Sequence, residues 1–230
     1  MSERDPRFFY DTIADTFEGL DHPHDIRRRL EIVFDELLDA GALHGRRVLD
    51  AGCGYGAFSR LARKRGAHVV SCDIAKNLVS RASATAASLG VVSDACALGF
   101  RDESFSTVIS SEMLEHVERP VDAVKELARV LEGGGILILT TPNRPWQWLV
   151  RLSSRLRFRP FHGLENFFWW SELDAACATS GLQVVRHIGF HAWPFQLGFA
   201  SLSRSVDHRF GKGRWARMMI NQAIIARKPA

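Results

Sequence analysis

The sequence predicts a single α/β domain in which a mostly parallel sheet is wound by helices on both faces. Three features carry that expectation. Short apolar runs of strand character alternate with amphipathic stretches of helix length, the pattern of repeated βα units. One of these units, residues 48–73, holds a glycine-rich turn between its first strand and its helix. The chain is also long enough, at 230 residues with 46% hydrophobic, to bury one substantial core without cross-links.

Taken in order, residues 7–18 and 25–39 read as helices, the second with an apolar stripe of Ile26, Leu30, Val33, Phe34, Leu37 and Leu38 and a stop at Gly41. Arg27, Arg28 and Arg29 read as the solvated face of that helix. A short strand at Val48 and Leu49 has Asp50 at its tip, and Gly52, Gly54 and Gly56 follow. The next helix turns Phe58, Leu61 and Ala62 inward, and a strand at His68, Val69 and Val70 ends in Asp73. An alanine-rich helix over 75–89 closes at Gly90, with strands at 91–94 and 105–110 after it. A helix over 120–131 and a turn at Gly133, Gly134 and Gly135 lead into a strand at 136–141. Beyond an irregular insertion come a helix over 171–180 with Ser171 as N-cap, a strand at 182–190, a helix over 193–206 and a last strand within 215–226. Internal repeats and low-complexity linkers are absent from the sequence.

Composition narrows the setting. Cys53, Cys72, Cys96 and Cys177 are dispersed and include no C-x-x-C pair, so neither a disulfide framework nor a zinc ribbon is indicated, and a reducing cytoplasm fits. The opening MSERDPRFFYD is too charged for a signal peptide, and no apolar run reaches the length of a membrane span. The formal net charge of +4 is mild and by itself selects no polyanionic partner.

The glycine turn carries the most specific chemistry. Glycines let backbone N–H groups approach a ligand, and an acid about 20 residues on, here Asp73, can accept two ribose hydroxyls. Gly52-x-Gly54-x-x-Ala57 also satisfies the dinucleotide fingerprint, a weak match on its own, and leaves an NAD-linked oxidoreductase as an alternative. Asp50 argues against it, because a carboxylate there repels a pyrophosphate but attracts a cationic sulfonium and an ammonium group. The run Asp50-Ala51-Gly52-Cys53-Gly54-Tyr55-Gly56 resembles the first motif of class I methyltransferases that use S-adenosyl-L-methionine. The resemblance implies a Rossmann-like three-layer sandwich with seven strands in the order 3-2-1-4-5-7-6, the last antiparallel. It further implies cofactor contacts at Asp50, Gly52, Cys53, Gly54, Asp73, Ile74 and Ser111, with the adenine met by Asp94 and the N–H of Ala95. Counting back from Asp50 without gaps selects Arg27 for the arginine that meets the cofactor carboxylate in the ubiquinone-biosynthesis O-methyltransferases. At 106 that family commonly has Asp where this chain has Ser106, a change expected to precede the strand.

The segment after the fourth strand must lie beside the glycine turn, since ligands bind where the strand order reverses. It reads Ser111-Glu112-Met113-Leu114-Glu115-His116. Two carboxylates three apart and an adjacent imidazole on one turn of helix suit a divalent ion, or a general base held by a carboxylate. The plain alternative is that the acids cap the turn and His116 packs. The segment resembles the ubiquinone-biosynthesis O-methyltransferases, some of which bind magnesium through E-x-x-E-H, and the small-RNA 3′-terminal 2′-O-methyltransferases, whose later histidine would correspond here to His162. The resemblance thus implies Glu112, Glu115 and His116 as catalytic or metal-ligating residues, with Mg²⁺ or another divalent cation held by them and His162. His116 cannot be both ligand and base.

The insertion up to His162 contains no acid but five arginines, Arg144, Arg151, Arg155, Arg157 and Arg159, among Trp146, Trp148, Leu149, Val150, Leu152, Leu156 and Phe158. A helical lid over the pocket, a peripheral contact of residues 144–160 with an anionic membrane, and a grip on single-stranded RNA compete for it. RNA is disfavoured because so short a chain adds no further recognition domain. The expected organisation is one methyltransferase domain: 1–45 over the pocket, 46–141 as cofactor core, 142–170 as insertion and 171–230 completing the sheet. A small-molecule methyl acceptor is expected, foremost a phenol or catechol, lipid-tailed or not. Sugars, amines and natural products are alternatives, as are an RNA 3′-end 2′-O-methyltransferase and a cofactor-binding protein without turnover. Oligomeric state is not legible.

Overall fold

The computed structural model describes residues 10–12, 22–155, 165–193 and 200–230, without side chains at 153–155 and 200–202. A seven-stranded sheet has β1 (Arg47–Ala51), β2 (His68–Asp73), β3 (Leu89–Val92), β4 (Phe105–Ser111), β5 (Leu131–Pro142), β6 (Gln183–Phe190) and β7 (Asn221–Arg227) in the order β3-β2-β1-β4-β5-β7-β6. The first five pair in parallel, whereas β7 runs antiparallel to both neighbours. That is the topology expected from the resemblance.

Strand alternation supplies a core on each face. Leu49 and Ala51 of β1 point into one cluster with Val108, Leu137 and Leu139, covered by α4 (Pro120–Val130) and α6 (Trp170–Thr179). Val48, Val69, Ile109 and Ile138 point the other way, beneath α1 (Pro23–Glu31), a π-helical segment (Ile32–Leu37) and α2 (Ala57–Lys64). The sheet is completed by α3 (Lys76–Ala86), α5 (Gln147–Arg155) and α7 (Ala200–Phe210).

Several boundaries differ from expectation, each for a local reason. The second helix widens to π geometry and ends at Leu37, before Gly41. Only Arg27 of its three arginines is exposed; Arg28 is buried against Asp207 (3.0 Å) and Glu36, and Arg29 against Asp25 (2.8 Å). Gly90 does not end α3 but lies inside β3, where a Cβ would collide with Ser83 and with Val79 Cγ1 at 2.7 Å; the helix ends instead through the left-handed Ala87. The glycine triplet is an irregular part of β5, with the Gly134 N–H donating to the Lys228 carbonyl at 2.9 Å. Ser106 is within β4 rather than before it, and its hydroxyl donates to the Arg47 carbonyl at 3.1 Å. The N-cap of α6 is Trp169, not Ser171, because the Glu172 carboxylate reaches back to the Trp169 N–H at 2.9 Å. A 3-10 turn (Arg214–Met218) precedes β7, so the last strand begins later than its composition suggested. Residues 13–18 of the first expected helix and 194–199 of the expected helix 193–206 lie outside the described residues.

One packing constraint ties the two halves of the βα core. Gly56, at φ 90°, starts α2 directly against α3, and a Cβ there would lie 2.8 Å from the Ala82 Cα. Gly56→Ala combines a left-handed alanine with that clash and is expected to destabilise the protein by about 3 kcal/mol, measured as a lowered urea midpoint at unchanged m-value.

Candidate active site

The C-terminal ends of β1 and β4 form the crevice where the strand order reverses. After β1 the N–H groups of Gly52 and Cys53 both donate to the Cys72 carbonyl, at 2.8 and 2.9 Å. Gly52 has φ 72°, and a Cβ there would strike the Met113 side chain, whose own Cβ is 2.6 Å from that point. The glycine therefore brings bare backbone up to the segment that follows β4. At the end of β2, Asp73 accepts the Gly54 N–H through Oδ2 and the Ala75 N–H through Oδ1, both at 3.0 Å, and the Ile74 N–H as well. Burial raises its carboxyl above the ordinary range against the pull of these bonds. A carboxylate fixed in this way retains lone pairs for two vicinal hydroxyls. Beyond β3, Asp94 takes the Cys96 N–H at 2.8 Å and shapes the turn that holds Ala95. Asp50 is 2% exposed, and its Oδ2 accepts the Ser59 N–H (2.9 Å) and hydroxyl (2.6 Å).

Across the crevice, Glu112 is left-handed at φ 52°, so it precedes the 3-10 turn (Leu114–His116) instead of sharing one helical turn with Glu115. Thr140 Oγ1 donates to Glu112 Oε1 at 2.9 Å, and Asn221 Nδ2 donates to its Oε2 at 3.0 Å. Ser111 Oγ lies 2.8 Å from the same Thr140 hydroxyl. Glu115 is buried, accepts from Thr141 Oγ1 at 3.3 Å and has His116 Nε2 at 3.8 Å from Oε1. Burial, then the charge of Glu115, drives the Glu112 carboxyl well up; burial raises Glu115 to about 7, with Arg29 opposing both.

Arg29, rather than the exposed Arg27, is thus the α1 cation felt at the site. It is clamped to Asp25 Oδ2 at 2.8 Å, while His191 Nε2 meets Asp25 Oδ1 at 3.0 Å. Burial works to raise the Asp25 carboxyl, but Arg29 and His191 hold it below the usual value. Tyr10 stands 6.0 Å edge-on from His116, its phenol pushed up by burial and by the charges of Glu115 and Asp73. Thr141 opens the Thr141-Pro142-Asn143 tripeptide that both resembling families can show, whereas Asp25, Arg29, Thr140, His191, Asn221 and Tyr10 carry no motif. Their only sequence signal is position at strand ends or in segments next to them.

As a metal centre the expected set fits poorly. Both Glu112 oxygens and one Glu115 oxygen already accept hydrogen bonds, whereas a divalent ion needs open carboxylates. Among the described residues no three His, Cys, Asp or Glu side chains are grouped to hold an ion; His162 lies outside them.

A family profile described as a methyltransferase domain matches residues 49–139. A ubiquinone biosynthesis O-methyltransferase from Xanthomonas euvesicatoria is 36% identical over 168 residues, 68% of this chain and 69% of that protein. The enzyme of the same name from Hahella chejuensis is 38% identical over 167 residues, 67% of this chain and 70% of that one. The chain belongs to the class I S-adenosylmethionine-dependent methyltransferases. Solved members agree in fold. A magnesium protoporphyrin IX methyltransferase from Synechocystis PCC 6803, with bound SAH, superposes with TM-score 0.68 at 20% identity, covering 96% of this chain and 97% of that one. A methyltransferase from Thermotoga maritima, described as a possible histamine N-methyltransferase, gives TM-score 0.71 at 17% identity over 97% of this chain and all of its own.

Because burial raises Glu115 in the folded protein above its unfolded value, the stability tied to it is complete at pH below the ordinary carboxylate range and is lost as pH rises toward neutrality. Glu115→Gln is expected to remove part of that loss, on the order of 2 kcal/mol between pH 5 and pH 8, read from urea midpoints at the two pH values.

Proposed function

We propose that this methyltransferase transfers the methyl group to the hydroxyl of a phenol or catechol, with His116 as the base. When bound in the glycine loop, S-adenosylmethionine supplies an electrophilic methyl on a sulfonium. The chain's own work is to align the acceptor oxygen for in-line attack and to remove its proton. His116 has the side chain whose ordinary pKa suits proton removal near neutrality, and its Nε2 lies 3.8 Å from Oε1 of the buried Glu115. The observation that carries this reading is the pairing of His116 with Glu115 on the turn after β4, where Met113 touches the glycine loop. The O-methyltransferase names of the relatives support an oxygen acceptor.

A metal-assisted route through Glu112, Glu115, His116 and His162 is not part of this proposal, because the carboxylates are already engaged. The test is turnover of catechol substrates after exhaustive chelation. Activity is expected to persist within about 2-fold, and His116→Ala to lower kcat by about 10²–10⁴-fold with cofactor affinity kept. Loss of turnover on chelation, restored by Mg²⁺, would reverse the roles. Cofactor binding without turnover of any acceptor would favour the binding-protein alternative.

The proposed acceptor is lipid-tailed. In support, α5 presents Trp148 at 63% and Leu152 at 44% exposure close to Arg144 and Arg151, the composition of an interfacial helix. No helix among the described residues is long and apolar enough to cross a membrane. Trp148→Ser combined with Leu152→Ser is expected to weaken binding to anionic vesicles at least tenfold while leaving weak binding to short RNA at matched salt unchanged. Tight RNA binding by the unaltered protein would transfer the surface to that partner.

A further inference from the structure

Under the glycine loop runs a line of hydroxyls that the crevice chemistry does not use. Asp50 shares the β1 face of Val48, so it points at α2, and its register partner on β2 is Ser71. Ser59 Oγ lies 2.6 Å from Asp50 Oδ2 and 2.6 Å from Ser71 Oγ, and Ser71 Oγ lies 2.6 Å from Ser88 Oγ, just before β3. The Ser59 N–H also donates to Asp50 Oδ2 at 2.9 Å. Ser59 and Ser71 are fully buried, whereas Ser88 is partly exposed.

Each hydroxyl has one proton to give, which fixes the direction of the whole line. An ionised Asp50 only accepts, so Ser59 donates to it, Ser71 to Ser59 and Ser88 to Ser71. The dipoles then add on the carboxylate, each bond polarising the next. A protonated Asp50 instead donates to Ser59 and the line reverses, ending on water at Ser88. The groups facing Asp50 are Asp73 and Cys72 from β2 and Cys53 from the loop, while its partner on β4 is Ile109. Burial first, and Asp73 after it, oppose ionisation and push the Asp50 carboxyl up to about 6; the two Ser59 bonds act against them.

We propose that Ser59, Ser71 and Ser88 form a polarised hydroxyl relay that holds Asp50 ionised beneath the glycine loop, so that binding of the cationic donor is linked to release of the Asp50 proton. The proton passes from Asp50 Oδ2 to Ser59 Oγ as Ser59 gives its own to Ser71, Ser71 to Ser88, and Ser88 to water. Ser71 and Ser88 touch no ligand and act as positioning residues through Asp50. The inference rests on the donor occupying the glycine loop.

S-adenosylmethionine and S-adenosylhomocysteine share base, sugar and amino-acid group and differ in the charge on sulfur. Their affinity ratio, measured by calorimetry from pH 5 to pH 8, therefore reads the charge beneath the loop. In the unaltered protein the ratio is expected to fall several-fold as pH drops through about 6, because a neutral Asp50 no longer favours the sulfonium. Ser71→Ala and Ser88→Ala each remove a donor from the line and are expected to move that fall up by about half a pH unit or more. Asp50→Asn is expected to abolish the fall, which separates Asp50 from Glu112 and Glu115; should that variant not fold, Ser88→Ala at the exposed end carries the test. A ratio that is flat in the unaltered protein while both ligands bind would overturn the relay. So would serine variants that weaken both ligands equally without moving the midpoint. Binding of neither ligand at any pH would overturn the donor's placement and the relay together.

Discussion

The missing Cβ at Gly52 is the constraint on which the site depends. β1 and β4 lie side by side and in parallel, so the chain leaves both at the same edge of the sheet. The two exits can only be brought together if one of them has no side chain at the point of meeting. With glycine at 52, Met113 packs onto the turn, and the 3-10 turn that carries Glu115 and His116 follows directly after it.

Around this contact the protein buries an unusual amount of charge. Asp25, Arg28, Arg29, Asp50, Glu115 and Asp207 are all almost inaccessible, and they are stabilised in two ways. On α1 the arginines are paired: Arg29 with Asp25, and Arg28 with Asp207 and Glu36. In the crevice the acids instead accept hydroxyl, amide and backbone donors and are pushed toward the neutral form by burial. Arg29 offsets part of the cost of burying Glu112 and Glu115.

The left-handed Glu112 fits this scheme. A non-glycine residue at φ 52° is strained, and here Thr140 from β5 and Asn221 from β7 hold it in place. The antiparallel β7 therefore does more than complete the sheet: its first residue fixes the conformation of an acid that comes from β4. His191 and Asp25 are joined in the same way between the end of β6 and α1.

Much of this was legible in the chain itself. The glycine run pointed to the methyltransferase family, strand and helix periodicities gave the wound sheet, and the segment 112–116 was placed after β4, because these signals are local and repeat within a few residues. In the sequence Asp50 reads as a contact of the cofactor at the strand tip, and only the packing of α2 shows that its Oδ2 accepts from Ser59. What sequence could not give were the partners of buried polar groups. Arg29 rather than Arg27 faces the site because of a rotation about α1 that follows from how the helix packs, and Ser59, Ser71 and Ser88 align only once α2, β2 and the start of β3 are stacked. Hydrogen bonds form over a few ångströms between residues far apart along the chain, so local pattern sets the elements while tertiary packing decides which side chains meet.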